Sequence, residues 1–188
     1  MFLNGQGRIR KLLLDPTAVI LDTETTGTRQ AEVIELSIIN LQGEVLFDRL
    51  IRPRRMEMNR HAQQVHGISL AELEDKPSLP EVLEELSPIL ERSLVLAWNA
   101  LFDKLMIQRS RLIWDLPPGD FRTLCAMRLY AGLHGRRTFG LHRAVEGEGL
   151  SYLLEKHASH RALGDVHLVL ELLRAASQPR TPDQTVLP

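Results

Sequence analysis

With 188 residues the chain has the length of one domain, and 44% hydrophobic with 25% charged residues excludes a fibrous repeat or an extended disordered chain. Twenty-three basic and 24 acidic residues leave a net charge of −1, which excludes a protein that coats DNA stably but permits an enzyme that visits a polyanion briefly. The longest apolar runs, such as Leu12 to Leu14 and Ala18 to Leu21, fall far short of the roughly 20 residues of a membrane-spanning helix. Met1 to Asp15 lacks the apolar stretch of a secretory signal, so a cytoplasmic protein with no membrane partner is expected. The single Cys125 permits neither an internal disulfide nor a cysteine-based zinc cage.

Residues 1–16 read as a basic lead-in closing on the turn-type pair Asp15-Pro16. The ordered domain is expected to begin after it, as residues 17–176, with 177–188 a flexible tail rich in Pro and polar residues. Ala18 to Thr25 (AVILDTET) starts apolar and β-branched and ends polar, the pattern of a central strand emerging from a core. Val33 to Leu41 and Val45 to Arg52 flank Gln42-Gly43-Glu44 and predict an antiparallel hairpin. From Met58 to Glu91 the pattern is helical, with Leu83, Leu86 and Leu90 behind Pro80. Ser93 to Ala97 predicts a buried fourth strand, followed by a helix through Leu101, Leu105, Ile107, Leu112 and Ile113 that Pro117-Pro118-Gly119 ends. A short strand is expected near Phe121 to Leu124, and the glycines and basic residues between Gly132 and Gly149 read as a long basic, mobile loop. Leu163, Val166, Val169, Leu170 and Leu173 share one face of a last helix. Strands in hairpin order, then alternating with helices, give an α/β fold with a mixed sheet covered by helices.

Three clusters carry chemistry. In Asp22-Thr23-Glu24-Thr25-Thr26-Gly27 the two acids are two apart, so a strand points both to one face. Their charges repel, and oxygen ligands of this kind suit Mg²⁺ or Mn²⁺. Spacing alone leaves a strand that ends in a polar turn equally open. Asn99-Ala100-Leu101-Phe102-Asp103 follows the fourth strand, where sites are commonly built, although Asn99 as a helix cap and Asp103 as an early-helix carboxylate is the simpler reading in isolation. In His160-Arg161-Ala162-Leu163-Gly164-Asp165 a separation of five cannot share a helical stripe, so one of the pair His160 and Asp165 belongs at or before the helix start. A surface histidine and a solvated aspartate is the alternative.

Taken together and in this order, AVILDTETTG, WNALFD and HRALGDV, with Val65-His66-Gly67-Ile68 between the first two, resemble the DEDDh family of 3′-to-5′ exonucleases, the DnaQ-like proofreading type. The resemblance covers about residues 18–175. It implies an RNase H-like fold, a mixed five-stranded sheet flanked by helices, in which Asp22, Glu24 and Asp165 hold two divalent ions, Mg²⁺ or Mn²⁺. Asp103 assists them directly or through water, and His160 corresponds to the general base. Thr25, Thr26, His66 and Asn99 are implied substrate contacts. The implied reaction hydrolyses phosphodiester bonds at the 3′ end of single-stranded DNA and releases nucleoside 5′-monophosphates, in proofreading or repair. The same chemistry on RNA, or an inactive nucleic-acid-binding protein, are the competing readings. Three positions depart from the family pattern: Trp98 stands where many relatives carry histidine, His61 where proofreading members often carry an acid, and Phe121-Arg122-Thr123-Leu124 lacks the usual aspartate before threonine.

Arg52-Pro53-Arg54-Arg55 and Arg136-Arg137 are candidates for gripping phosphates, with solvated surface as the commoner fate of such residues. The tail Gln184-Thr185-Val186-Leu187-Pro188 lacks the aromatic anchor of a sliding-clamp peptide, so recruitment by a DNA polymerase or clamp has no strong motif behind it. His157, His160 and His167 come with no compact zinc ligand set in the sequence and read as helix surface.

Overall fold

The computed structural model describes residues 5–135, 140–157 and 160–179. Helix α1 (Gly5–Leu13) leads into β1 (Ala18–Thr25), and β2 (Val33–Asn40) and β3 (Val45–Leu50) follow as the expected hairpin. Three helices, α2 (Arg60–His66), α3 (Leu70–Leu73) and α4 (Leu79–Arg92), precede β4 (Leu94–Ala97). After α5 (Ala100–Ile113) and β5 (Arg122–Cys125) come α6 (Ala126–Leu133), α7 (Leu141–Gly147), α8 (Tyr152–Lys156) and α9 (Ala162–Ser177). The five strands form one mixed sheet in the order β3-β2-β1-β4-β5, antiparallel from β3 to β1 and parallel from β1 to β5.

Alternation along β1 divides the core in two. Ala18 and Ile20 face α1, α6 and α9 through Ile9, Tyr130, Val166 and Leu170. Val19 and Leu21 face α4 and α5 through Leu86, Leu90, Met106 and Ile107. The sheet is therefore buried on both sides at its centre, and the carboxyl end of β1 is the place where side chains from both helical layers meet. Trp98 packs in the first of these layers, with its ring 6.0 Å from that of Tyr130.

Four stretches differ from the sequence expectation. The ordered chain begins before Asp15-Pro16: α1 carries Ile9 and Leu12 at i, i+3, and both are buried beside α9. The long helical stretch after Met58 is three helices, because Gly67 (φ 75°) ends α2 in the left-handed region and Asn59, Ser69 and Ser78 each start a new helix. The Ser78 N–H and hydroxyl both donate to Glu81, at 2.6 and 2.5 Å. The run from Gly132 to Gly149 is not one loop, since Leu141–Gly147 is helical and buries Ala144 and Val145. A glycine-dense stretch hides this short amphipathic turn from a periodicity reading. The strand near Phe121 is shifted by one residue, to Arg122–Cys125. Arg136, Arg137 and the clamp-like tail lie outside the described residues. Among the described residues no helix is long and apolar enough to cross a membrane.

Candidate active site

Asp22 and Glu24 leave the same face of β1, toward α9, and Asp165 comes down onto them from the first turn of that helix. One carboxylate oxygen from each of the three lies within 4.8 Å of the others. Between them Thr23 points through to the opposite face, where its hydroxyl donates to Asp103 Oδ1 at 3.0 Å. Asp103, buried in the first turn of α5, is thereby fixed against β1 although it belongs to the other helical layer. It stands outside the group of three but close enough for its charge to act on Asp22.

The electrostatics follow from this crowding. Asp22 is pushed well above the ordinary carboxylate range by burial first, then by repulsion from Asp103, Asp165, Glu24 and Glu35. Glu24 is raised to about 8 by burial and by Asp165 and Glu35, against a partial opposing pull from Arg161. Burial also raises Asp103, to about 7, against the Thr23 hydrogen bond. Asp165 rises through burial too, offset by His142 and His160. Four carboxyl groups that resist ionisation together form a donor set suited to hard divalent cations. The donor chemistry therefore fits Mg²⁺ or Mn²⁺ with Asp22, Glu24 and Asp165 as ligands.

His160 lies in the turn before α9, with its backbone in the left-handed region (φ 59°) and its N–H donating to Asp165 Oδ1 at 3.3 Å. This turn has an anchor that the sequence reading missed. Glu35, opposite Glu24 in the β1–β2 register, receives Arg161 through both Nε and a terminal nitrogen at 2.6–3.1 Å. The same carboxylate accepts the Ala162 N–H at 2.9 Å, capping the start of α9. Glu35 is the one charged residue in a strand that is buried along nearly its whole length, which is the signal that could have marked it. His142 on α7 was also missed. Its Nε2 is 3.8 Å from Asp165 Oδ1, and its ring lies 4.4 Å from that of His160. No sequence feature pointed to it, because its helix was read as loop.

The turn after the acids is held by its own hydrogen bonds. Thr25 Oγ1 donates to the Gly27 carbonyl at 2.6 Å, and Thr26 exchanges bonds with Glu32 through both backbone and hydroxyl. The Glu32 carboxylate in turn accepts the N–H groups of Arg54 and Arg55 at 2.8 and 2.9 Å. A cleft of about 310 Å³ opens here, lined by Thr26, Arg29, Glu32, Arg55 and Asn59 among others. His66 is buried at the end of α2, where its Nδ1 accepts the Ile68 N–H at 3.0 Å and burial lowers its pKa. That bond leaves the proton on Nε2, which lies toward the Thr25 backbone without a hydrogen bond of ordinary geometry. Asn99 occupies the N-cap position of α5 without making a side-chain cap bond, and it lines a second cleft with Lys104 and Arg128. Of the arginines offered for phosphate, Arg54 pairs with Asp115 at 2.6 Å instead, and Arg55 alone of that run borders the cleft by Thr26.

A five-stranded mixed sheet whose first strand ends in two carboxylates, joined by one from a helix on each face, defines the nuclease class with the DEDDh signature. The sequence model of the RNase T type, described as Exonuclease, matches residues 19–173, and the chain belongs to that family. It is 35% identical over 168 residues to the DNA polymerase III PolC-type of Thermotoga maritima, covering 84% of this chain but only 12% of that protein. It is 27% identical over 171 residues to the DNA polymerase III subunit epsilon of Aquifex aeolicus, covering 88% of this chain and 82% of that one. Among solved structures, Exonuclease X in complex with 5′ overhanging duplex DNA is similar with a TM-score of 0.57 and 25% identity, over 89% of this chain and 96% of that one.

Proposed function

We propose that this chain is a metal-dependent 3′-to-5′ exonuclease that shortens single-stranded DNA from its 3′ end and releases nucleoside 5′-monophosphates. The observation that carries the reading is the convergence of Asp22, Glu24 and Asp165, 143 residues apart in sequence, within 4.8 Å of one another, with Asp103 bonded to Thr23 between Asp22 and Glu24. Asp22, Glu24 and Asp165 would hold two divalent ions, with Asp103 assisting. Bound there, such ions supply Lewis acidity at the scissile phosphate and offset the carboxylates' charge.

The remaining roles fall to the chain's own groups. His160, exposed on its turn, takes the proton from the attacking water, a general-base task suited to an imidazole. The Glu35–Arg161 pair holds that turn in place. Thr25 and Thr26 present the backbone of their turn to the terminal nucleotide, while their hydroxyls keep the turn's shape. His66 Nε2–H, buried beside the Thr25 backbone, is a donor for the 3′ end, and exposed Asn99 reaches the strand from the other side of the sheet. The relatives named as DNA polymerase III proteins support DNA as the polymer, and the proposal places the chain in proofreading or repair.

Incubating 5′-labelled DNA and RNA oligomers with Mn²⁺ or Mg²⁺ tests the reading. A ladder of shortened DNA that EDTA abolishes is expected. Shortening of RNA alone would assign the chemistry to RNA, and binding with no shortening would overturn the enzymatic reading.

A further inference from the structure

Beside the oxygen cluster stands a second ligand group of different chemistry. His142, His160 and Asp165 each offer one ligand atom, all within 4.8 Å of one another. The closest measured pair, His142 Nε2 and Asp165 Oδ1, is 3.8 Å apart. In a tetrahedral zinc site with bonds of about 2.0–2.1 Å, neighbouring ligand atoms are about 3.3 Å apart, so the His142–Asp165 pair needs to close by about half an ångström and no pair by more than about 1.5 Å, within reach of side-chain rotation. His142 Nε2 is shielded from solvent and makes no hydrogen bond of ordinary length, its contact with Asp165 Oδ1 being stretched to 3.8 Å, so it is aimed at the site with its bonding capacity unfilled. The three residues arrive from α7, from the turn before α9 and from α9 itself, elements that pack on one another.

We propose that His142, His160 and Asp165 form a binding site for a borderline divalent ion, Zn²⁺ foremost, distinct from the all-oxygen site and sharing Asp165 with it. Two imidazoles and one carboxylate select Zn²⁺ over Mg²⁺, because Mg²⁺ takes oxygen ligands and keeps its waters whereas Zn²⁺ favours histidine nitrogen. Three protein ligands leave the fourth position to water or a phosphate oxygen. One consequence rests on the exonuclease reading: an imidazole of His160 committed to Zn²⁺ no longer accepts a proton, so Zn²⁺ acts as a brake on an enzyme supplied with Mg²⁺.

Binding is tested without nucleic acid, so that its failure is separate from failure of the exonuclease reading. The full chain, in millimolar Mg²⁺, is titrated with Co²⁺ followed by its visible absorption, then competed with Zn²⁺. One ion per chain is expected, with the intense bands of a tetrahedral centre. His142→Ala and His142→Gln weaken it by about 10-fold or more, the scale of loss seen on disturbing a metal's coordination, whereas Glu24→Gln, which touches only the oxygen cluster, retains it. Two histidine variants guard against one of them failing to fold, which circular dichroism reports. Equal affinity in parent and His142 variants, loss in Glu24→Gln instead, or no binding at all would each overturn the proposal.

Discussion

Raising the pH of the metal-free protein should destabilise it, and divalent ions should remove most of that loss. The sign follows from proton counting. Glu24 ionises near 4.5 in an unfolded chain and at about 8 in the folded one, so between those values the folded state holds a proton that the unfolded state has released. Stability from this group is complete below about pH 4.5 and disappears as pH climbs through about 8. Asp103, with its folded value of about 7, adds a second loss over the window from 3.8 to about 7, and Asp22 adds to it in the same direction. At about 1.4 kcal/mol per unit, the interval for Glu24 alone sets a ceiling of about 5 kcal/mol. For a domain of this size each kilocalorie shifts the melting temperature by about 2–4 °C, so the ceiling is a fall of about 10–20 °C. Scanning calorimetry in EDTA from pH 5 to pH 8, repeated with millimolar Mn²⁺, measures this. A fall in EDTA that Mn²⁺ abolishes at pH 8 is expected, since an ion that binds only the folded, ionised cluster stabilises it by mass action. A melting temperature that stays level or rises across this range in EDTA would refute the reasoning, because it would mean that the carboxylates are not buried together.

Asp165→Asn should abolish turnover in the oligomer assay while leaving the metal-free melting temperature equal or higher, because it removes a ligand and a repelling charge together. Unchanged nuclease rates would contradict its role. Arg161→Met should cost about 2–4 kcal/mol, read by urea unfolding, since it strands the buried Glu35 carboxylate without its partner. The double variant with Glu35→Gln should recover part of that loss, and strictly additive effects would show that the pair does not act as one unit. Thr23→Val keeps the packing but leaves Asp103 without its hydroxyl donor, at a cost of about 1–2 kcal/mol and with the pKa of Asp103 raised further. An unaltered Asp103 titration by NMR would count against that bond.

Legibility varied with how local the cause was. β1 could be read because its apolar start and its acid pair both follow the two-residue period of a strand. The split placement of His160 before α9 and Asp165 on it followed from helical geometry alone. The layer relation was not readable: nothing in WNALFD says that Asp103 reaches β1 from the face opposite to Asp165, held by Thr23. Glu35 and His142 act through partners 126 and 23 residues away, a dependence that no local pattern encodes. The amino-terminal helix was read as a lead-in because a nine-residue segment with two buried residues shows its amphipathic face only once α9 is there to cover it.

Anomalous scattering from crystals grown in Mn²⁺ tests the central claim most directly, that carboxylates from one strand and two helices converge to bind cations. Manganese peaks within bonding distance of Asp22, Glu24 and Asp165 are the predicted result. Manganese found elsewhere, with those three carboxylates turned away from one another, would contradict it.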